Sequence, residues 1–128
     1  MMAIDADART ALSAAWVRAY HVANDAPPWI FEDQLAGRLL QQEELDFFSN
    51  VFIEQFLELD AIGERAGRST WELLNGYMRT AAAPTEMLTR QRFAEEQLGH
   101  AIQRGVEQYV VLGAGMDTYA LRKSQPSL

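Results

Sequence analysis

Tyr109-Val-Val-Leu112 runs without a polar break into Gly113-Ala-Gly115, and only 13 residues (116–128) follow. An unbroken apolar run of this kind suggests a strand buried on both faces, as in parallel sheets. Two glycines where such a strand ends let backbone approach a ligand closely, because neither carries a Cβ. The pattern fits the first βα turn of a nucleotide-type fold, where the ligand sits outside the carboxyl end of the strand. The dinucleotide fingerprint wants a third glycine, and position 118 is threonine. Asp117 and Thr118 either cap a following helix or contact a polar ligand, and a dinucleotide binder stays open as an alternative.

Everything upstream reads as helix. Ala8, Leu12, Ala15, Trp16, Ala19 and Tyr20 recur at three- and four-residue steps, so a helix capped by Asp7 and running to about Asn24 is expected. Arg18 and His21 lie off the centre of that stripe. The prolines at 27 and 28 stop the helix, since a residue before proline is pushed out of helical angles. Trp29-Ile-Phe31 then either anchors the connection to the core or walls a ligand, with the anchor expected. Asp33 can cap a short helix bearing Leu35, Leu39 and Leu40.

Between Glu43 and Ile62 the aromatic and aliphatic positions follow helical spacing on a wide face. Ser69-Thr-Trp-Glu72 has capping-box spacing and opens a helix to about Ala82, in which Gly76 marks close helix packing as one possibility. Thr85 is the expected cap of a last helix to Arg104, with Leu88, Phe93, Leu98 and Ile102 facing inward. Gly105 stands where a left-handed C-terminal residue is wanted.

Composition excludes several function classes. The net charge of −7 argues against a nucleic-acid or anionic-membrane surface. With no cysteine, disulfides, thiolate metal sites and cysteine nucleophiles are ruled out. No apolar run nears the ~20 residues that span a bilayer, and the N-terminus lacks a signal pattern, so a soluble, cytoplasmic protein is the default. His21 and His100 have no metal-ligand spacing and are expected at helix surfaces; no metal site and no catalytic residue are assigned. Glu95 and Glu96 are adjacent, so they point in different directions around a helix. Arg90 and Arg92 lie on the helix leading to the glycine turn, where a guanidinium can grip a carboxylate bidentately.

Taken together, Thr89-Arg-Gln-Arg-Phe-Ala-Glu-Glu-Gln-Leu98 and Arg104-Gly-Val-Glu-Gln-Tyr-Val-Val-Leu-Gly-Ala-Gly-Met-Asp-Thr118 resemble the leucine carboxyl methyltransferase-like family of S-adenosylmethionine-dependent O-methyltransferases. Ala11–Ala19 and Ile30–Leu40 resemble the opening helices of its bacterial branch more loosely, with Gln34 where that branch has proline. The resemblance implies a class I, Rossmann-like α/β fold with a helical N-terminal cover. The chain is then expected to be mainly α (residues 1–105), ending in the first β-strand and glycine turn (106–128) of an incomplete sheet.

By position, Gly113, Ala114 and Gly115 would form the turn against the methionine part of S-adenosyl-L-methionine, with Asp117 and Thr118 shaping it. Arg92, or failing it Arg90, would bind the cofactor carboxylate. The implied acceptor is a small-molecule or peptide carboxyl or hydroxyl group. After Arg122 the sequence departs from the family's continuation, and the acidic end of a second strand is missing, so a truncated chain is expected. An unpaired strand would favour a homo-oligomer, and a self-associating helical module without catalysis is the alternative reading.

Overall fold

α1 (Ala6–Asn24) lays its apolar stripe, Leu12, Ala15 and Trp16, into the centre of the molecule. The computed structural model describes residues 6–60 and 63–122. A 3-10 turn (Ala36–Leu39), α2 (Gln42–Leu59), α3 (Thr70–Thr80), α4 (Ala82–Gln103) and a single-turn α5 (Tyr119–Arg122) follow. Residues 61 and 62, where the helical stretch from Glu43 was expected to end, and residues 123–128 lie outside the described set, as does the Asp7 side chain. The first helix starts at Ala6, ahead of Asp7.

The core is aromatic. Trp16 stacks on Tyr20 at 4.9 Å and meets Phe52 edge-on at 4.8 Å. Phe52 in turn stacks on Tyr77 at 4.6 Å. Aromatic pairs in these geometries add to what burial of their area contributes. The Trp16 indole N–H is satisfied by Leu45 O at 3.2 Å and Ser49 Oγ at 3.3 Å, which fixes α2 along α1. α2 and α3 pack closely where Phe56 meets Gly76. A Cβ on Gly76 would sit 2.4 Å from Phe56 Cζ, so glycine is what lets the Phe56 ring lie on the α3 backbone.

Local signals place the helix ends. Ser69 Oγ accepts from Glu72 N at 3.2 Å while the Glu72 carboxylate accepts from Ser69 N at 2.7 Å, the reciprocal capping box. α4 starts earlier than expected, at Ala82 rather than after a Thr85 cap. Pro84 is tolerated because it occupies the first turn, whose N–H groups have no intrahelical acceptor. Gly105 takes φ +92°, the left-handed conformation that closes α4. Phe93, expected inward, is 63% exposed.

The expected strand is not there. Residues 106–112 form no regular element, and among the described residues there is no strand or sheet, so the incomplete Rossmann-like α/β fold is corrected to an all-helical one. The physical reason is that strand structure is a property of a pair. Among the described residues, Tyr109–Leu112 has no second segment to exchange N–H···O=C bonds with. Its side chains are accordingly uncovered, Val110 at 64% and Leu112 at 89% exposure. No helix among the described residues is long and apolar enough to cross a membrane.

Candidate functional site

Asp33 sits on the connection between α1 and the 3-10 turn, and its carboxylate is fully buried. Oδ1 accepts from Leu35 N at 3.1 Å and Ala36 N at 3.0 Å, so the residue caps the short turn as its type and position suggested. Oδ2 faces the other way. It accepts from Arg18 Nε at 2.9 Å and from the Thr118 hydroxyl at 2.6 Å. Arg18 also donates to Met116 O at 2.5 Å, which ties the end of the glycine turn to α1.

The network continues through Arg122 on α5. Its Nε donates to Thr118 Oγ1 at 2.8 Å and lies 3.6 Å from Asp33 Oδ1. Its terminal nitrogen pairs with Glu95 on α4, and its guanidinium lies 4.8 Å above the Phe31 ring. One buried guanidinium (Arg18) and one partly buried guanidinium (Arg122) thus face two carboxylates, the arrangement that makes burial of charge tolerable. Gln91 donates to Asp117 Oδ2 at 3.1 Å, while Asp117 Oδ1 accepts from Tyr119 N at 2.7 Å and so caps α5. Tyr109 is 43% exposed, and the partial desolvation of its phenol, then the nearby charges of Asp117 and Glu95, push it above its ordinary value.

Beside this network lies an open cleft of about 730 Å³, within the usual range for small-molecule sites. One wall is the loop Pro28–Glu32. The other is the face of α4 carrying Arg92, Glu95, Glu96 and Gly99, with Tyr119 and Arg122 at the end. Trp29 and Ile30 wall it, while Phe31 is both a lining residue and a core anchor at 6% exposure. Arg92 is half-exposed, with Nε on Glu96 at 2.7 Å and a terminal nitrogen 3.4 Å from Ile30 O.

The expected site residues divide into three groups. Arg92 lines the cleft, whereas Arg90 is exposed and does not. Gly113, Ala114 and Gly115 form an exposed turn outside the cleft lining, with Gly113 at φ +65° and Gly115 at φ +52°. A Cβ at Gly113 would meet nothing within 4 Å, so the glycine serves the backbone angle and leaves open space on its side. Asp117 and Thr118 turn inward, and Thr118 is 1% exposed. Arg18, Asp33, Glu95 and Arg122 carry the site's polar framework, and their sequence neighbourhood gave no sign of it beyond the capping role of Asp33.

His21 also departs from expectation. It is 5% exposed; Nε2 accepts from Ile30 N at 3.0 Å and Nδ1 lies 2.6 Å from Asp25 Oδ2. Because the Ile30 amide occupies Nε2, the ring proton belongs on Nδ1, and the imidazole holds the cleft-wall loop against α1. His100 is exposed on α4 as expected. Among the described residues no cluster of His, Cys, Asp and Glu is arranged to hold a metal ion.

The donor set fits a zwitterionic, partly aromatic ligand. Arg92 offers a guanidinium to a carboxylate, Glu96 offers oxygens to an ammonium, and Trp29 offers a flat apolar surface.

Comparison with known proteins gives a family. Residues 11–127 match the family model described as leucine carboxyl methyltransferase. The chain is 34% identical over 114 residues to a Bacillus subtilis protein named "Putative S-adenosyl-L-methionine-dependent methyltransferase YktD", covering 88% of this chain and 37% of that one. It is 29% identical over 118 residues to similarly named proteins of Mycolicibacterium smegmatis and Mycolicibacterium paratuberculosis, covering 92% of this chain and 34% of each. The chain therefore spans about a third of the length of these relatives. No solved structure matches it.

Proposed function

Because the chain belongs to the leucine carboxyl methyltransferase family, we propose that its cleft receives the amino-acid end of S-adenosyl-L-methionine. We propose further that the whole protein transfers the methyl group to a carboxyl or hydroxyl oxygen. The observation that carries the reading is Arg92, a half-exposed guanidinium on the rim of a cleft that also holds Glu95 and Glu96. When bound, the cofactor supplies a methyl group on a positively charged sulfur, which leaves as a neutral thioether once the acceptor oxygen has taken the methyl.

The chain's own residues bind and orient. Arg92 exchanges its solvated pair with Glu96, worth little at an exposed site, for a bidentate carboxylate contact. The displaced Glu96 is then free to face the ligand ammonium across one turn of α4. Trp29 and Phe31 keep one wall apolar and exclude water from that side. Glu95 stays paired with Arg122 and keeps that guanidinium from competing for the carboxylate. Orientation of this kind is a main source of rate in an in-line displacement. None of these residues acts on the acceptor, and no catalytic acid or base is assigned to this chain.

Calorimetric titration with S-adenosyl-L-methionine tests the reading. Wild-type protein binds saturably, and Arg92→Ala weakens binding by roughly 10- to 150-fold, the equivalent of about 1.5–3 kcal/mol for a charge-assisted hydrogen bond. Arg90→Ala leaves the affinity unchanged. Equal losses at both arginines, no binding by the wild type, or binding of NAD instead would each reject it.

A further inference from the structure

We infer that Thr118 is a positioning residue which, with Asp33 and Arg18, holds the glycine turn and Arg122 in place, and is not itself a cofactor contact. Its link to the cofactor rests on the reading of the cleft given above. A threonine hydroxyl has one hydrogen to donate and two lone pairs to accept with. At Thr118 the hydrogen goes to Asp33 Oδ2 at 2.6 Å, and an oxygen lone pair takes Arg122 Nε at 2.8 Å. With the residue 1% exposed, no ligand in the cleft or at the turn reaches this hydroxyl.

The clamp's purpose follows from what the turn lacks. Gly113 and Gly115 both sit at positive φ, which glycine adopts readily, and glycine loses more conformational freedom on folding than any other residue. Leu112, on the entry side, is 89% exposed and holds nothing. Restraint must therefore come from the exit side. There the Arg18 guanidinium grips Met116 O, the Asp33 carboxylate grips Thr118, and a Cβ on Gly115 would already lie 3.0 Å from Ala11 Cβ of α1. The same hydroxyl sets Arg122, which lines the cleft and reaches Glu95. One buried oxygen thus links the turn, α1, α4 and the cleft wall, across 85 residues of sequence between Asp33 and Thr118.

Thr118→Val keeps the shape and deletes the hydroxyl; Thr118→Ser keeps the hydroxyl. Amide hydrogen exchange at Asp117, whose N–H donates to Ala114 O at 2.9 Å within the turn, measured without cofactor, accelerates at least about ten-fold in Thr118→Val and less than about three-fold in Thr118→Ser, the scale of one hydrogen bond to a charged group. Affinity for S-adenosyl-L-methionine follows the same order. Ile53→Val, buried at 1% on α2 away from the cleft, lowers the melting temperature but leaves both readouts at wild-type values.

If Thr118→Val does not fold, vicinal couplings of the wild-type Thr118 side chain decide: the clamp requires a single χ1 rotamer, and averaged couplings overturn it. Unchanged exchange in Thr118→Val also overturns it. Accelerated exchange with unchanged affinity overturns the link to the cofactor. Absence of any binding by the wild type instead rejects the reading of the cleft, and the exchange result still stands or falls by itself.

Discussion

Asp33→Asn keeps the shape of the buried carboxylate and removes its charge. Oδ1 of the amide can still accept from Leu35 N and Ala36 N, so the cap of the 3-10 turn survives. The other position becomes an NH₂ group directed at Arg18 Nε, a donor facing a donor at a site that now holds 2.9 Å. Arg18, with its side chain 8% exposed, is left without a counter-charge, whereas Arg122 keeps Glu95. Breaking a buried pair in this way costs about 3–5 kcal/mol. That is a large share of the ~5–15 kcal/mol that holds a domain folded. At about 4 °C per kcal/mol the melting temperature falls by roughly 12–20 °C.

Thermal and urea unfolding followed by circular dichroism measure the loss. The second variant Arg18→Leu/Asp33→Asn removes the orphaned cation and recovers a substantial part of it, giving a positive coupling in the double-mutant cycle. A cost below about 1 kcal/mol for Asp33→Asn, the value of a surface ion pair, would refute the description of this network as a buried clamp. So would strict additivity of the two substitutions.

Two further outcomes follow from helix packing and capping. Gly76→Ala destabilises by up to about 2 kcal/mol, because overpacking against the Phe56 ring (about 1–3 kcal/mol) opposes a propensity gain of about 1 kcal/mol; a clearly stabilised variant in urea unfolding would show that the Phe56 ring does not lie on the Gly76 backbone, where an added Cβ would come within 2.4 Å of Phe56 Cζ. Ser69→Ala removes the α3 cap and costs about 1 kcal/mol. The Ser69 backbone N–H, then its hydroxyl, hold the Glu72 carboxyl below its ordinary value near 4.5. A depressed folded pKa contributes stability above the ordinary value and loses it as pH falls through the lowered one. The Ser69 backbone N–H remains in Ser69→Ala, so only the hydroxyl's share of this effect is lost; the stability difference between wild type and Ser69→Ala narrows as pH drops below about 4.5, and a difference independent of pH from 7 to 3 would contradict the hydroxyl's hold on the Glu72 carboxyl.

Features governed by neighbours in sequence were legible. The capping box at Ser69 and Glu72, the cap at Asp33 and the left-handed Gly105 each depend on a short window; close packing at Gly76 was one possibility that only the Phe56 ring on a different helix decides. Features governed by distant partners were not. Arg18 and His21 look like polar residues beside an apolar stripe, and their burial is explained by Asp33, Met116 and Ile30, which no local pattern announces. The failed strand belongs with them: Tyr109–Leu112 has strand composition, but strand structure also needs a partner segment.

At the site, the Arg-x-Arg-Phe motif led to Arg92 at the cleft, and the glycine pair led to two positive φ angles. Sequence could not separate Thr118 as an internal clamp from Thr118 as a ligand contact, because both use the same hydroxyl. Arg122 was missed because nothing near it in sequence marks a guanidinium that reaches Glu95, 27 residues back.

Titration of ¹⁵N-labelled protein with S-adenosyl-L-methionine, followed by amide and arginine side-chain resonances, tests the central claim most directly. The account predicts saturable shifts at Ile30, Arg92 Nε, Glu96 and Gly99 around the cleft, with a smaller response at Gly113 and Gly115 relayed through the clamp. Shifts confined to surfaces away from the cleft, or none up to millimolar cofactor, would contradict it.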